Sequence, residues 1–476
     1  MTLMKRRAIW RALLVTAIVT VAHHEATGQE VPLGWEATQF FKYNVENVVV
    51  DKTAVPWGVT VIFSVTNPTL SGNPPWDIKT AVPFTFKCGP TTIPACPPTP
   101  AASPSLTIDI GWNTTEYVNT GSRLDLNPIF VNSTNNRGVG AAFPIRINAL
   151  TSAAQPCLSV ADCPGVADVT SRFRVSAKLP PDMIGLVQTG AIGTGVVGIE
   201  GHPVWPVAAP TENVPVKSVF RPFPITDTVA VPRRQIVDFN TKCSKCHDNQ
   251  LHDGTFIPRL ALHGGSRNEE PGVCAICHNP NQTDIPFRTL ASPPSTDPLG
   301  SGVAPEVSVD FKRMAHEIHA GGFRHNAFKV VGFNGTVTDF SGVRFPGELR
   351  NCLTCHIDVN GKGTFELPLA STVLGSTVKT GSTIGYIRPS DGQVGNLVDL
   401  DPTNNLRITP TASVCSACHD GSEVRRHMQS NGAVFGALQS AITPNPERCV
   451  RCHGPGKDKD VRKVHEVSGA GGGTHD

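Results

Sequence analysis

Ten cysteines and five histidines of this chain recur in one arrangement, Cys-x-x-Cys-His. The copies are Cys243-Ser244-Lys245-Cys246-His247, Cys274 to Cys277 with His278, Cys352 to Cys355 with His356, Cys415 to Cys418 with His419, and Cys449 to Cys452 with His453. Two thiols at this spacing can each add across one vinyl group of a single porphyrin, and the adjacent His is then close enough to bind its iron. The chain's own Cys and His frequencies would produce roughly 0.01 such pentapeptide by chance. The five copies therefore read as attachment sites for five covalently bound c-type haems. Structural zinc on Cys-x-x-Cys knuckles is the plain alternative, but zinc does not need a His directly after every second Cys.

Each motif His fills one axial position, and the group on the other side decides the chemistry. A second His gives a saturated electron-transfer iron, Met raises the potential, and an open position admits a substrate. From residue 235 onward the remaining histidines are His252, His263, His316, His319, His325, His427, His465 and His475. His316 and His319 lie in Asp310-Phe311-Lys312-Arg313-Met314-Ala315-His316-Glu317-Ile318-His319, which reads as a short helix with an acidic start. At i and i+3 the two imidazoles project from neighbouring parts of one face, so they are assigned to two adjacent haems. His263 precedes Gly264-Gly265, His427 precedes Met428, and His465 follows the last motif closely enough to fold back. Taken singly each of these would read as an ordinary surface His, but five irons lack a second ligand. Met314 and Met428 are the alternative ligands, each beside a better-placed His, and His252 and His325 are spares.

The elements that must position these groups differ between the two halves of the chain. Residues 29–234 carry no haem motif. Their texture is short alternating runs broken by Pro, Gly and Asn: Val59, Val61, Phe63 and Val65; Leu106, Ile108 and Ile110; Phe173, Val175, Ala177 and Leu179. Period-two patterns between turn residues predict an N-terminal all-β sandwich or split barrel. Nothing in it looks catalytic, and Asp109 and Glu116 read as solvated strand or loop positions. Residues 235–468 hold every motif in Gly- and Asn-rich loops with short helical pieces, at fewer than 50 residues per haem. So short a polypeptide cannot build a conventional core around five porphyrins, so the haems must supply much of the buried apolar surface and lie close together. Between the third and fourth motifs, Phe365-Glu366-Leu367 and Leu406-Arg407-Ile408-Thr409 are candidate local strands, and residues 469–476 are expected to form a flexible tail.

Residues 1–28 read as a secretory signal peptide: Lys5, Arg6, Arg7 and Arg11, an apolar stretch from Ala12 to Ala22, then Ala26-Thr27-Gly28 as a cleavage site. The apolar stretch is too short to favour a membrane-spanning helix. Removing it takes away four Lys/Arg and one Glu, changing the balance from 41 against 39 to 37 against 38. Propionates make the holoprotein acidic, which excludes nucleic acid as a partner, since that needs clustered positive charge. Four cysteines remain outside the motifs, Cys88, Cys96, Cys157 and Cys163. In an exported chain they suggest the disulfides Cys88 to Cys96 and Cys157 to Cys163, other pairings and reduced redox-active thiols being open.

The ordered motifs resemble those of the outer-membrane decahaem c-type cytochromes of the OmcA/MtrC type. They are Leu262-His263-Gly264-Gly265-x-Arg267 before Cys274-x-x-Cys277-His278-Asn279-Pro280, and Phe311-Lys312-Arg313-Met314 leading into His316-x-x-His319-Ala320-Gly321. Gly363-Thr364-Phe365-Glu366-Leu367-Pro368, His427-Met428 with Asn431-Gly432, and Cys452-His453-Gly454-Pro455-Gly456 with Val464-His465 complete the set. More loosely, Val48-Val49-Val50 and Val59 to Val65 are similar to that family's opening strands. The resemblance implies a β-rich domain followed by a loop-rich pentahaem domain with bis-His irons, their distal ligands His263, His316, His319, His427 and His465. It also implies electron exchange with other multihaem cytochromes or a porin–cytochrome complex, and with extracellular acceptors such as metal oxides or flavins. The chain departs from the family in having one such unit where two are usual, and in lacking the usual lipid-anchoring Cys. The reading is an exported electron-transfer protein, not an enzyme, at the extracellular or outer-membrane surface or in the periplasm, and able to oligomerise. The rivals are a multihaem reductase of nitrite or a sulfur oxyanion, and a binding role for the β domain alone.

Overall fold

The computed structural model describes residues 36–53, 57–86, 103–112, 144–179, 191–205, 212–252, 255–257, 259–288, 305–332, 335–381, 384–387, 396–399, 404–442 and 446–467. The expected signal peptide 1–28, the Cys88 and Cys96 pair, Glu116 and the tail 469–476 lie outside the described residues.

Ten strands precede the first motif: β1 (Lys42–Asp51), β2 (Gly58–Thr66), β3 (Ser105–Trp112), β4 (Ile145–Asn148), β5 (Gln155–Pro156), β6 (Phe173–Lys178), β7 (Thr194–His202), β8 (Val204–Trp205), β9 (Glu212–Asn213) and β10 (Val219–Pro224). They form two antiparallel four-stranded sheets, ordered β1-β2-β6-β5 and β10-β7-β3-β4, and a small β8-β9 pair. Alternate residues of each strand point inward. Val59, Val61, Phe63 and Val65 of β2, Leu106, Ile108, Ile110 and Trp112 of β3, Phe173 and Val175 of β6, and Val197 and Ile199 of β7 fill one core. Along one side the sheets are joined by Arg221 of β10, whose guanidinium donates to the carbonyls of Val45 and Glu46 at 2.9 and 2.6 Å. Those carbonyls sit at the bulge between Val45 and Asn47, where the ladder to β2 slips. This is the expected all-β sandwich.

Parts of the outer faces of the sheets are covered, which alternation alone does not reveal. Ile62, on the opposite side of β2 from Val61 and Phe63, packs with Val166 and the Cys157–Cys163 disulfide. Strand β7 is buried along its whole length. Its outward Val196 packs against Ala275 and Ile276 of the helix that carries the second motif. Gly198 lets that helix approach: a Cβ there would lie 3.0 Å from Ile276 Cδ1. Asp109, opposite Gly198 in the β3-β7 ladder, is consequently buried, correcting its reading as a solvated position.

In the motif-bearing half, regular structure is short. After a first turn in the sandwich half, α1 (Val82–Thr85), the helices are α2 (Pro271–Cys277), α3 (Phe311–His319), α4 (Pro410–Cys415), α5 (Ser422–Ser430), α6 (Val450–His453) and α7 (Val461–Val464). Leu406–Ile408 is a strand as expected, flanked by Ser376–Lys379 and Phe435–Leu438. Phe365 to Leu367 is not a strand: Glu366 turns back, its N–H on the Gly363 carbonyl at 3.0 Å and its carboxylate on the Gly363 N–H at 2.7 Å. The apolar clusters of this half are small among the described residues, the larger comprising Ile408, Ala412, Met428 and Ala433. The architecture is an all-β sandwich followed by a loop-rich half with short helices.

Candidate haem-binding site

One helical turn closes every motif. The N–H of the motif His donates to the carbonyl of the first Cys in all five, His247 to Cys243, His278 to Cys274, His356 to Cys352, His419 to Cys415 and His453 to Cys449, at 2.9 Å each. Residues at i, i+3 and i+4 then share one face, so both thiols and the imidazole are presented together. Helices α2 and α6 supply this turn for the second and fifth motifs, 3-10 turns at Cys243–Lys245 and Cys352–Thr354 supply it for the first and third, and α4 leads into it at Cys415 for the fourth. None of the ten thiols is in a disulfide. Burial pushes Cys243, Cys352 and Cys418 up to about 11 and Cys274, Cys277 and Cys415 up to about 12.

Each motif His faces a His from elsewhere in the chain. Ring centroids are 6.2 Å apart for His247 and His319, 6.0 Å for His278 and His263, 5.9 Å for His356 and His316, 5.9 Å for His419 and His465, and 6.2 Å for His453 and His427. Two imidazole nitrogens on opposite sides of one metal, each about 2 Å from it, place their ring centroids roughly 6 Å apart. The residues fit the prosthetic group that the motifs call for. Among the described residues no three or more His, Cys, Asp or Glu side chains are grouped to hold a metal by themselves.

Backbone carbonyls orient several of these rings. The Nδ1–H of His278 donates to the Val309 carbonyl at 2.9 Å, that of His453 to Lys459 at 2.9 Å, that of His319 to Ala315 at 2.7 Å and that of His465 to Val461 at 3.0 Å. His316 makes the same bond to Lys312. A carbonyl can only accept, so the tautomer is set and Nε2 carries the lone pair that could hold a metal. His356 Nδ1 lies 3.0 Å from Thr364 Oγ1, whose own hydrogen goes to the Ile236 carbonyl at 2.8 Å. Burial also depresses His278, His316 and His419, and takes His356 down to about 3, helped by His316 and Lys242. Neutral imidazole is the form that binds metal.

Helix α3 delivers two rings to two motifs. Asp310 caps it by accepting from the Lys312 N–H at 3.3 Å. Arg313 donates to the Ser413 carbonyl at 3.1 Å and to Ser416 Oγ at 2.9 Å, and pairs with Glu317; Arg324 joins Glu317 to Asp420. This buried network ties α3 to the fourth motif. His263 sits in a hairpin turn at φ 54°, followed by Gly264 at 72° and Gly265 at 87°. Few side chains tolerate that region, His more readily than most. Met428 packs in the apolar cluster, His325 is exposed beside Gly421, and the side chain of His252 lies outside the described residues.

The thiols also disclose which motifs are neighbours. Cys355 acts electrostatically on Cys243 and is acted on by Cys246; Cys352 is coupled to Cys418, and Cys415 to both Cys352 and Cys449. The second motif faces the sandwich instead, its Cys277 close to Asp109, Arg146 and Glu200 and to Arg267 of its own half. Sequence reasoning missed this charged group. Glu200, a carboxylate in the otherwise apolar run Val196 to Gly201, was its one visible sign.

Residues 234–466 match the family model described as outer membrane cytochrome MtrC/MtrF-like, domains II/IV. The chain is similar to the crystal structure of MtrC from Shewanella baltica OS185, with 14% identity and a TM-score of 0.47 over 89% of this chain and 53% of that one. It is also similar to the outer membrane decaheme cytochrome OmcA, with 14% identity and a TM-score of 0.44 over 91% and 50%. The chain thus spans about half the length of these solved structures. No curated protein matches it. Residues 234–466 are thus similar to domains II/IV of the MtrC/MtrF-like outer membrane cytochromes.

Proposed function

We propose that this protein is a pentahaem electron conduit, with residues 29–234 as a β-rich domain and 235–468 as the haem domain, behind a signal peptide at 1–28 and before a tail at 469–476. The observation that carries the reading is the set of five His pairs with ring centroids 5.9 to 6.2 Å apart, one for every motif. Each haem, when bound, would supply one-electron chemistry. The cysteines would anchor it, the paired His rings would hold it, and the carbonyls on Nδ1 of His278, His316, His319, His453 and His465 would keep those rings in register. His316 and His319 share α3, so the third and first motifs are joined by one rigid element. The thiol couplings support a line in the order first, third, fourth, fifth, with the second as a branch against the sandwich. Partner cytochromes, a porin–cytochrome complex, or a second copy of the chain would extend the line, and metal oxides or flavins at the cell exterior would accept from an exposed edge.

Intact mass under denaturing conditions and low-temperature EPR of the oxidised holoprotein test this reading together. Five covalent haems, all low-spin, are expected. Four or fewer haems after competent maturation, or a high-spin iron in the untreated protein, would overturn it.

A further inference from the structure

Four charged side chains meet where α2 covers the outward face of the β10-β7-β3-β4 sheet. Asp109 comes from β3, Arg146 from β4, Glu200 from β7, and Arg267 from the hairpin that presents His263. Arg146 Nε donates to Asp109 Oδ1 at 2.9 Å, and its Nη2 reaches Glu200. Arg267 donates from Nη2 to Glu200 Oε1 at 2.6 Å, and its Nε lies 2.5 Å from Oε2. The Asp109 and Glu200 side chains are 1% and 2% exposed, and Asp109 Oδ2 has no hydrogen-bond partner among the described residues. A buried carboxylate oxygen without a donor is costly, and neighbouring carboxylates relieve that cost by holding a proton.

Burial holds the Glu200 carboxyl above the usual carboxylate range; the charge of Asp109 adds to this, and Arg267 and Arg146 oppose it. The titratable and charged groups facing Glu200 are Asp109, Arg146, Arg267, the sulfurs of Cys274 and Cys277, and the Tyr43 hydroxyl from β1. Arg146 and Arg267 are 24% and 17% exposed, so the cluster has an edge on solvent. An electron placed on a group held by Cys274 and Cys277 adds negative charge beside it, and negative charge favours the protonated carboxyl.

We propose that Glu200, paired with Asp109, takes a proton from water when the haem on Cys274 and Cys277 is reduced and returns it on reoxidation, making this branch a proton-coupled redox centre. The iron gains one electron from a one-electron donor, here a neighbouring haem, and passes from ferric to ferrous; the carboxylate oxygen gains one proton, so the charge of the site is conserved. This rests on the haem assignment proposed above.

Spectroelectrochemical titration of the holoprotein across about pH 5 to about pH 9 tests it. One haem is expected to change its reduction equilibrium by up to tenfold per pH unit, about 59 mV for one electron. Glu200→Gln should flatten that dependence, with haem mass and low-spin EPR unchanged. Reduced-minus-oxidised infrared difference spectra provide a readout on the unmutated protein: a protonated-carboxyl band should grow on reduction, and Glu200→Gln should remove it. Should Glu200→Gln lose a haem, Asp109→Asn replaces it, with a weakened pH dependence expected. Undiminished pH dependence in a variant carrying five low-spin haems, or no carboxyl band in the unmutated protein, overturns the proton coupling alone. A missing or high-spin haem on the second motif of the unmutated protein overturns the haem assignment and this inference with it.

Discussion

At the residue scale, His316 and His319 are the most informative pair, because one short helix sends them to different motifs, His356 and His247. His316→Ala and His319→Ala should each convert one haem from low to high spin by EPR, and the double variant should convert two. One high-spin haem in the double variant would mean that only one of the two rings holds an iron. His202 makes a different kind of statement. It is buried at the end of β7, Nδ1 has no hydrogen-bond partner among the described residues, and burial takes it from 6.5 down to about 4. Its folded value is depressed, so the unfolded chain takes up the proton first as pH falls, and stability drops between those two values. The loss should reach roughly 3 kcal/mol by the lower limit. Denaturant midpoints across that window should show it, and His202→Asn should flatten the slope.

At the element scale, the contact of α2 with β7 decides how the second motif is held. Gly198→Val would drive side-chain atoms into Ile276, whose Cδ1 lies only 3.0 Å from where a Cβ would stand, and into Val273 at 3.6 Å. Overpacking of this kind costs about 1–3 kcal/mol. The expected result is a lower denaturation midpoint and faster proteolysis between β10 and α2. Gly342→Ala, where an added Cβ meets nothing within 4 Å, should stay within about 0.5 kcal/mol. The same contact explains why β7 breaks the alternating pattern: its outer face has a protein partner, so Val196 and Gly198 there are small or apolar and Glu200 is buried with them.

At the scale of the whole molecule, the proposed function, five irons each held between two His rings, predicts chemical inertness at iron together with fast electron exchange at exposed edges. An iron with two imidazoles must lose one before it can bind carbon monoxide. The reduced holoprotein should therefore show little prompt carbon monoxide binding by stopped flow, while reducing soluble ferric chelates or flavins rapidly. Prompt binding at one haem per chain with nitrite turnover would favour the reductase. Short helices and loops suit this molecule, since the line of motifs is built from single turns cross-tied by buried charges such as Arg313, Glu317 and Arg324 rather than by a large apolar core.

The attachment motifs were legible in the chain because their chemistry is local: Cys, Cys and His must share one helical turn, and one turn spans five residues. The α3 helix and strands β2, β3 and β6 were legible for the same reason, through a capping Asp310 and period-two runs. What spacing could not supply was which distal His meets which motif His, because rings 72 residues apart in His247 and His319 and only 12 apart in His453 and His465 obey no common rule, and the latter two do not pair. Asp109 escapes the sequence for a related reason: a polar residue on the outer side of a strand is solvated only if nothing packs there. Local periodicity records which way a side chain points, whereas only the tertiary structure decides what it meets, and here it meets Arg146 and a helix from the other half of the chain.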